Sequence, residues 1–498
     1  MVIMLIRDRL RPGMLLFSVV MIFVATGILT TEEALAGFSN KGMITVALLF
    51  LVSEGIRRTD ALSAIMRRIF PPKERSTVRK GTLYIMGVVT SASAFLNNTP
   101  IVVIFIPHIK AWAKRVGLPL KKFLIPLSYA AILGGMCTLI GTSTNLVVHG
   151  LMIESGMEGL SMFEIGKVGG IIAVVGVLYI VFVGTRLLPA DDNREVHKSG
   201  GEGYHIVEVV IGPRFPGINK SRDEFDFKNH YNAEIIQIRR KGNVVSDNDM
   251  RFKEGDTLVL AADEQFVPTW GDSSIFLVVS NDEDHTPPCP TWKKWLSLSL
   301  LVVMIAGATL GDTEYVQRLI PNVSLDMFFW AGVVTIVMAF TSIIPPKKYT
   351  KFITWDILIT IASALAISTA MTNSGLADWV AKGLIGMAND CSPVVIMAVL
   401  FIVTNLITEL ITNNAAAAFA FPVALSVATQ LGVDPMPFIV AICIAASCSF
   451  SSPIGYQTNM IVQGIGEYKF KDFLRVGLPL NLLSFIISVI FIPIFWPF

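Results

Sequence analysis

Apolar stretches and short polar connections alternate along most of the chain. Stretches at residues 12–29, 43–55, 124–152, 168–188, 295–310, 325–344, 355–372, 438–465 and 478–498 read as membrane-buried helical segments. Two more, 84–107 and 394–422, carry polar residues at their centres. The first holds Ser93, Asn97, Asn98, Thr99 and Pro100; the second holds Thr408, Glu409, Thr412, Asn413 and Asn414. Lipid offers an unpaired polar group nothing, at a cost of several kcal/mol each. Irregular backbone survives at that depth only where it is buried in protein or lines a cavity. Each stretch is therefore expected to be a re-entrant hairpin, two half-helices joined by a polar tip, with Pro107 and Pro422 near the far ends.

Two of the crossings are interrupted as well. Gly141-Thr-Ser-Thr144-Asn145 breaks 124–152, and Ser452-Pro-Ile-Gly-Tyr-Gln-Thr458-Asn459 breaks 438–465. The matched features are displaced by 314 to 316 residues (145 to 459, 107 to 422, 98 to 414). Small and polar residues also pack between helices without further purpose. Four interrupted segments in matching places of two halves instead point to the midplane site of a secondary transporter.

Basic residues set the orientation. Arg57, Arg58, Arg67, Arg68, Lys73, Arg75, Arg79 and Lys80 precede the first hairpin, and Lys110, Lys114, Arg115, Lys121 and Lys122 follow it. Under the positive-inside rule both ends lie in the cytoplasm, as a re-entrant hairpin requires. Residues 190–290 are hydrophilic and read as a small α+β block, with strands at 204–211, 233–239 and 255–260 and a linker at 286–290. An odd number of crossings from the basic loops makes that block cytoplasmic. The expected division is a first transmembrane repeat at 1–189, the block at 190–290, and a second repeat at 291–498.

The totals agree with a membrane protein. Of the 498 residues, 53% are hydrophobic and 16% charged, against about 25% charged in soluble domains. A net charge of +2 without a basic stripe gives no reason to expect nucleic acid. The five cysteines have no ligand spacing, and most sit in apolar runs as small hydrophobes. Residues 1–12 are basic and lead into an apolar run without a cleavage site, so no signal peptide is expected.

The chemistry available at the tips is almost wholly neutral. No Lys, Arg, Asp or Glu occurs in 83–107, 123–153 or 438–466. Half-helix N-termini favour anions, while hydroxyls and unwound carbonyls suit Na⁺. The economical reading is a small anion whose charge is offset by co-bound cations. Glu409 is the ionisable residue at hairpin depth: a cation ligand, a protonation site, or a partner for a polar backbone group. His108 and His149 lack partners at metal spacing and read as structural or interfacial. A cation antiporter using Glu409 is the second reading. A channel is a weaker third, since no TVGYG filter occurs. No nucleophile–base pair, metal cluster or P-loop suggests an enzyme.

These residues resemble the divalent-anion/sodium symporter family of sulfate, dicarboxylate and citrate carriers. Its Ser-Asn-Thr tip signature is similar to Asn97-Asn98-Thr99 and Thr412-Asn413-Asn414, and its broken-helix motif to Gly141–Asn145. The resemblance implies an all-α polytopic membrane protein built as an inverted repeat with two re-entrant hairpins and two broken helices. It also implies a homodimer, elevator-type alternating access, and Na⁺ as coupling ion with no other cofactor. Carried over by position, Ser93, Asn97, Asn98 and Gly141 would hold one Na⁺, and Thr408, Thr412, Asn413 and Ser452 the other. Asn98, Thr99, Asn413 and Asn414 would face the anion, with Asn145, Thr458 and Asn459 of the broken helices. The tips depart from the signature at Asn97 and Asn414, and against that family the first half is expected to start one helix late, without an N-terminal span usual in relatives. The hydrophilic block resembles the C-terminal (TrkA-C) domain of potassium-conductance regulators through 209–213, 225–227, 233–239 and 255–258. That implies a small-molecule regulator or a dimer contact. No dinucleotide fingerprint accompanies it. The remaining partner is membrane lipid, in the plasma (inner) membrane.

Overall fold

The computed structural model describes residues 12–59, 61, 77–189, 205–212, 214–240, 243–245, 250–262, 266, 270, 275–280, 290–311, 325–387 and 392–498. Arg67, Arg68, Lys73 and Arg75, the linker at 286–289, Cys289 and Cys391 lie outside the described residues, as do residues 1–11.

The chain is mostly helical. Helices α1 (Pro12–Ala25), α2 (Thr31–Ala36) and α3 (Lys41–Arg58) lead to the pair α4 (Val78–Ser93) and α5 (Asn98–Val116). Then come α6 (Leu124–Gly135), α7 (Ser143–Glu154) and α8 (Gly166–Tyr179), the last continued by a π turn over Ile180–Gly184. After the sheet, α10 (Thr291–Gly311), α11 (Met327–Phe340), α12 (Trp355–Asn373) and α13 (Leu376–Met387) precede a second pair, α14 (Pro393–Thr408) and α15 (Asn413–Leu431). Helices α16 (Met436–Ser447), α17 (Gln457–Gly466) and α18 (Phe470–Phe495) close the chain. Among the described residues, six helical stretches are long and apolar enough to cross a membrane.

Local chemistry sets several of these bounds. Thr30 and Glu33 form the capping box that starts α2, with Thr30 N–H donating to Glu33 Oε2 at 2.8 Å. Asn40 starts α3 by accepting from Gly42 N–H at 2.8 Å, and its amide reaches Gly150 O on α7 at 3.3 Å. One expectation needs correction. Pro107 and Pro422 do not end their stretches: both lie inside helices, which run on to Val116 and Leu431. A proline removes one backbone bond, and in a packed bundle neighbours make that tolerable. The ends fall instead at Gly117 and Gly432, at φ +72° and +66°, where no side chain resists the left-handed turn.

The bounds of the two pairs recur with a uniform shift of 315 residues: 78–93 and 98–116 become 393–408 and 413–431. Asn98 thus corresponds to Asn413, not to Asn414 as the sequence spacing suggested, and Thr99 to Asn414.

Between α8 and α10 the chain forms an antiparallel sheet, ordered β3-β2-β4-β1-β5: β1 (His205–Ile211), β2 (Ala233–Arg240), β3 (Asn243–Val245), β4 (Thr257–Ala262) and β5 (Phe276–Ser280). Strands β3 and β5 and the short helix α9 (Phe227–Tyr231) were not evident in the sequence. The sheet has its own core, in which Phe215 packs on Phe225, Tyr231 and Phe252. Arg240 forks onto the buried Asp256 with two bonds of 2.7 Å.

The sheet is docked on the helices. Lys110 of α5 pairs with Glu208 at 2.7 Å, and Arg239 bridges Glu208 (3.6 Å) and Glu467 (2.6 Å), just past α17. Gln457 donates to Glu254 at 3.4 Å. Arg214, shortly after β1, donates to the carbonyls of Lys351 and Ile353 ahead of α12.

Candidate binding site where two helix pairs meet

Each pair turns in four residues, 94–97 and 409–412, and each second helix starts without a side-chain cap. Helices α7 and α17 start the same way, after extended Thr142 and Tyr456. First-turn N–H groups lack intrahelical acceptors, so these four starts are the places where an acceptor from outside would be satisfied.

The four starts converge. Thr99 donates to Gln457 Oε1 at 3.2 Å, joining α5 to α17. In the matched position, Ser143 donates to Asn414 Oδ1 at 3.1 Å, joining α7 to α15, and Thr144 lies 3.3 Å from the same oxygen. The Tyr456 hydroxyl reaches from the second half to the first: it lies 2.5 Å from the Asn98 amide and 3.1 Å from Thr142 Oγ1.

Behind each tip lies a cluster of oxygens. Ser93 Oγ is 2.7 Å from the Asn98 amide and 2.8 Å from Ala131 O. Thr408 Oγ1 is 3.2 Å from Asn413 Oδ1 and 2.7 Å from Ala446 O. Both hydroxyls are fully buried. The Asn98 amide atom beside Ser93 also lies 3.0 Å from Ala131 O and 3.1 Å from Gly141 O. With nitrogen there, it donates to these oxygens. With oxygen there, four oxygens face one point, and a cation is what would satisfy them. At the second tip Thr412 Oγ1 is buried and has no hydrogen-bond partner.

The unwound segments are held by one device used twice. Asn145 donates to Gly135 O (3.3 Å) and Thr138 O (2.9 Å); Asn459 donates to Ser449 O (2.9 Å) and Ser452 O (3.1 Å). Ser128 Oγ lies 2.6 Å from Asn459 Oδ1 and 2.8 Å from Thr458 Oγ1. Asn145, Thr458 and Asn459 are thus engaged in holding the breaks, whereas Asn98, Thr99, Asn413 and Asn414 lie at the converging tips.

Asn145 and Asn459 stand 314 residues apart, and that shift places Ser452 opposite Thr138 and Gly455 opposite Gly141. Contacts agree: a Cβ on Gly141 would lie 2.9 Å from Ser93 O, and one on Gly455 2.5 Å from Thr408 O. Ser452 Oγ accepts from Ile454 N–H at 3.0 Å. Asn97 precedes α5 and makes no cap bond.

Glu409 opens the second turn, where the first has Ala94. Its carboxylate accepts from Ser451 N–H (2.8 Å), Asn481 Nδ2 (2.7 Å) and Ser449 Oγ (3.3 Å). Among the described residues no ion pair includes it. Sequence reasoning missed Tyr456, Ser128, Gln457 and Asn481. Tyr456 and Gln457 lay inside a motif already singled out, but Ser128 and Asn481 carried no distinguishing signal.

The sequence profile of the citrate transporter family (CitMHS) matches residues 2–421 and 319–497. The chain belongs to that family. Such proteins are transporters, not enzymes. Relatives include an uncharacterized transporter of Synechocystis, sll0640, 29% identical over 93% of this chain and 90% of its own. Sodium/sulfate cotransporter 2 of Chlamydomonas reinhardtii is 20% identical over 95% and 86%. The sodium-dependent dicarboxylate transporter SdcS of Staphylococcus aureus is 29% identical over 93% and 78%. The crystal structure of the Alcanivorax borkumensis YdaH transporter has a similar fold, with TM-score 0.52, 13% identity and 98% of both chains covered.

Proposed function

We propose that this family member is a Na⁺-coupled symporter of a small divalent anion, sulfate or a dicarboxylate. The observation that carries the reading is the convergence of the uncapped starts of α5, α7, α15 and α17, flanked by matched buried oxygen clusters. Each helix start is equivalent to about +0.5 charge. Those are dipole ends and not net charge, so a dianion there remains uncompensated until cations arrive. Ser93, Asn97, Asn98 and the carbonyls of Ala131 and Gly141 form the first cation position. Thr408, Thr412, Asn413 and the carbonyl of Ala446 form the second, with Gly455 in the place of Gly141 and Ser452 in the adjoining break. Asn98, Thr99, Asn413 and Asn414 bind the anion between them. Asn145, Thr458 and Asn459 keep the breaks open. Glu409 supplies negative charge beside the second cation.

In this reading the helix pairs are re-entrant hairpins in an inverted repeat, residues 1–189 and 291–498, around an inserted cytoplasmic domain at 190–290. The 315-residue shift in helix bounds supports it. The inserted domain is of the TrkA-C type and takes a small-molecule regulator. The protein works as a homodimer in the plasma membrane by an elevator-type motion. The relatives named for sodium with sulfate or dicarboxylate support the choice of ion and anion class.

The test is uptake of labelled sulfate and succinate into proteoliposomes with an inward Na⁺ gradient or with K⁺ in its place. Uptake of at least one dianion only with Na⁺ is expected. Na⁺ moving down a pH gradient with neither anion transported would replace this reading with an antiporter.

A further inference from the structure

Among the paired positions of the two halves, one differs strongly in side-chain size at the point where the halves meet. Thr142 and Tyr456 correspond under the 314-residue shift, both are extended residues immediately before a helix start, and their hydroxyls lie 3.1 Å apart. One is a threonine and the other a phenol. The phenol's reach is what lets its hydroxyl meet Asn98 of the first tip as well as Thr142. Its ring is almost fully buried, so it fills space that the matched position leaves to a much smaller side chain.

We propose that Tyr456 sets substrate size in this site, selecting a compact tetrahedral dianion over an extended di- or tricarboxylate. The inference rests on the transport reading above and narrows it. Two consequences of the geometry carry it. The Tyr456 hydroxyl accepts from the Asn98 amide and lies beside Thr142 Oγ1, which leaves its own proton for a compact anion's oxygen at the first tip. The ring, almost fully buried beside the start of α17, fills volume that a threonine at that place would leave open to a longer anion. Hydrogen-bonding sites reject analogues that leave buried donors unmatched far more strongly than apolar pockets reject extra bulk. The donor therefore favours an anion with oxygen on every side, and the ring adds steric exclusion.

The experiment compares sulfate and succinate uptake, each driven by Na⁺, in wild type, Tyr456→Phe and Tyr456→Thr. Wild type is expected to prefer sulfate by at least about tenfold, which is about 1.4 kcal/mol. Tyr456→Phe keeps the ring and loses the donor, so sulfate uptake falls about tenfold or more without a gain in succinate. Tyr456→Thr copies Thr142 and opens the site, so the sulfate-to-succinate ratio falls about tenfold or more because succinate uptake rises. A measurement on the unaltered protein removes dependence on variant folding: inhibition of labelled sulfate uptake by unlabelled sulfate, thiosulfate, malonate and succinate. Potency is expected to fall with length. A wild type that prefers succinate, potency rising with length, or a well-folded Tyr456→Thr with an unchanged ratio would each overturn the role of Tyr456. If wild type carries neither anion with Na⁺, the transport reading itself fails.

Discussion

Removing the hydroxyl of Ser93 tests the cation positions most sharply, because Thr408 provides a matched control within the same chain. Ser93 Oγ is fully buried, 2.8 Å from Ala131 O and 2.7 Å from the Asn98 amide. Ser93→Ala leaves a carbonyl and an amide facing an apolar methyl. Leaving such a group unmatched costs about 1–3 kcal/mol. If the hydroxyl also ligates Na⁺, a loss of that size raises the half-saturating Na⁺ concentration by roughly 5- to 150-fold. Thr408→Ala, with Ala446 O at 2.7 Å and Asn413 at 3.2 Å, should behave alike. Ser93→Thr and Thr408→Ser keep the oxygen and should stay within about threefold of wild type. The assay is labelled-anion uptake at saturating anion against Na⁺ concentration, on proteoliposomes of variants that remain monodisperse in detergent. An unchanged Na⁺ dependence with only a lower maximal rate would refute the assignment and leave both hydroxyls as helix-packing groups.

Other outcomes follow from the same geometry. Gly455→Ala puts a Cβ 2.5 Å from Thr408 O, a backbone atom that cannot swing aside. A cost of about 1–3 kcal/mol and loss of Na⁺-driven uptake are expected, and near-normal uptake would show the close approach to be dispensable. Glu409→Gln cannot accept at both atoms from Ser451 N–H, Ser449 and Asn481, so half-saturating Na⁺ should rise; unchanged Na⁺ dependence would remove Glu409 from the cation position. Arg240→Ala strands the buried carboxylate of Asp256 and should destabilise the sheet by about 3–5 kcal/mol, seen as faster amide hydrogen exchange in β4; unaltered exchange contradicts the pairing. Glu467→Arg opposes Arg239 and should loosen the docked sheet to limited proteolysis, with Arg239→Glu in the same chain restoring protection.

Much of this architecture could be read from polar residues in apolar stretches. Asn97–Pro100 and Thr412–Asn414 marked both turns because lipid penalises unpaired polar groups, and the turns fall at 94–97 and 409–412. The helix ends beyond Pro107 and Pro422 were not legible, since proline is tolerated within a packed bundle and the true stops are set by Gly117 and Gly432. The carbonyls of Ala131 and Ala446 left no trace in the sequence, because every residue has a carbonyl and only the fold selects these two. Gly455 was obscured by the length of the second break, nine residues (448–456) against seven (136–142) in the first. Tyr456 was hidden differently: in a one-dimensional motif an aromatic residue reads as packing, and only the fold brings its hydroxyl to Asn98. The docking of the sheet through Arg239 and Glu467 joins residues that no local pattern connects.

The central claim, obligatory coupling of cations to a dianion at one site, is tested most directly by measuring radiolabelled Na⁺ and radiolabelled sulfate fluxes in the same proteoliposomes. Each flux is expected to require the other ion, with two or more Na⁺ entering per sulfate and sulfate accumulating against its gradient. Sulfate entering equally well with K⁺, or Na⁺ entering at an undiminished rate without the anion, would contradict it.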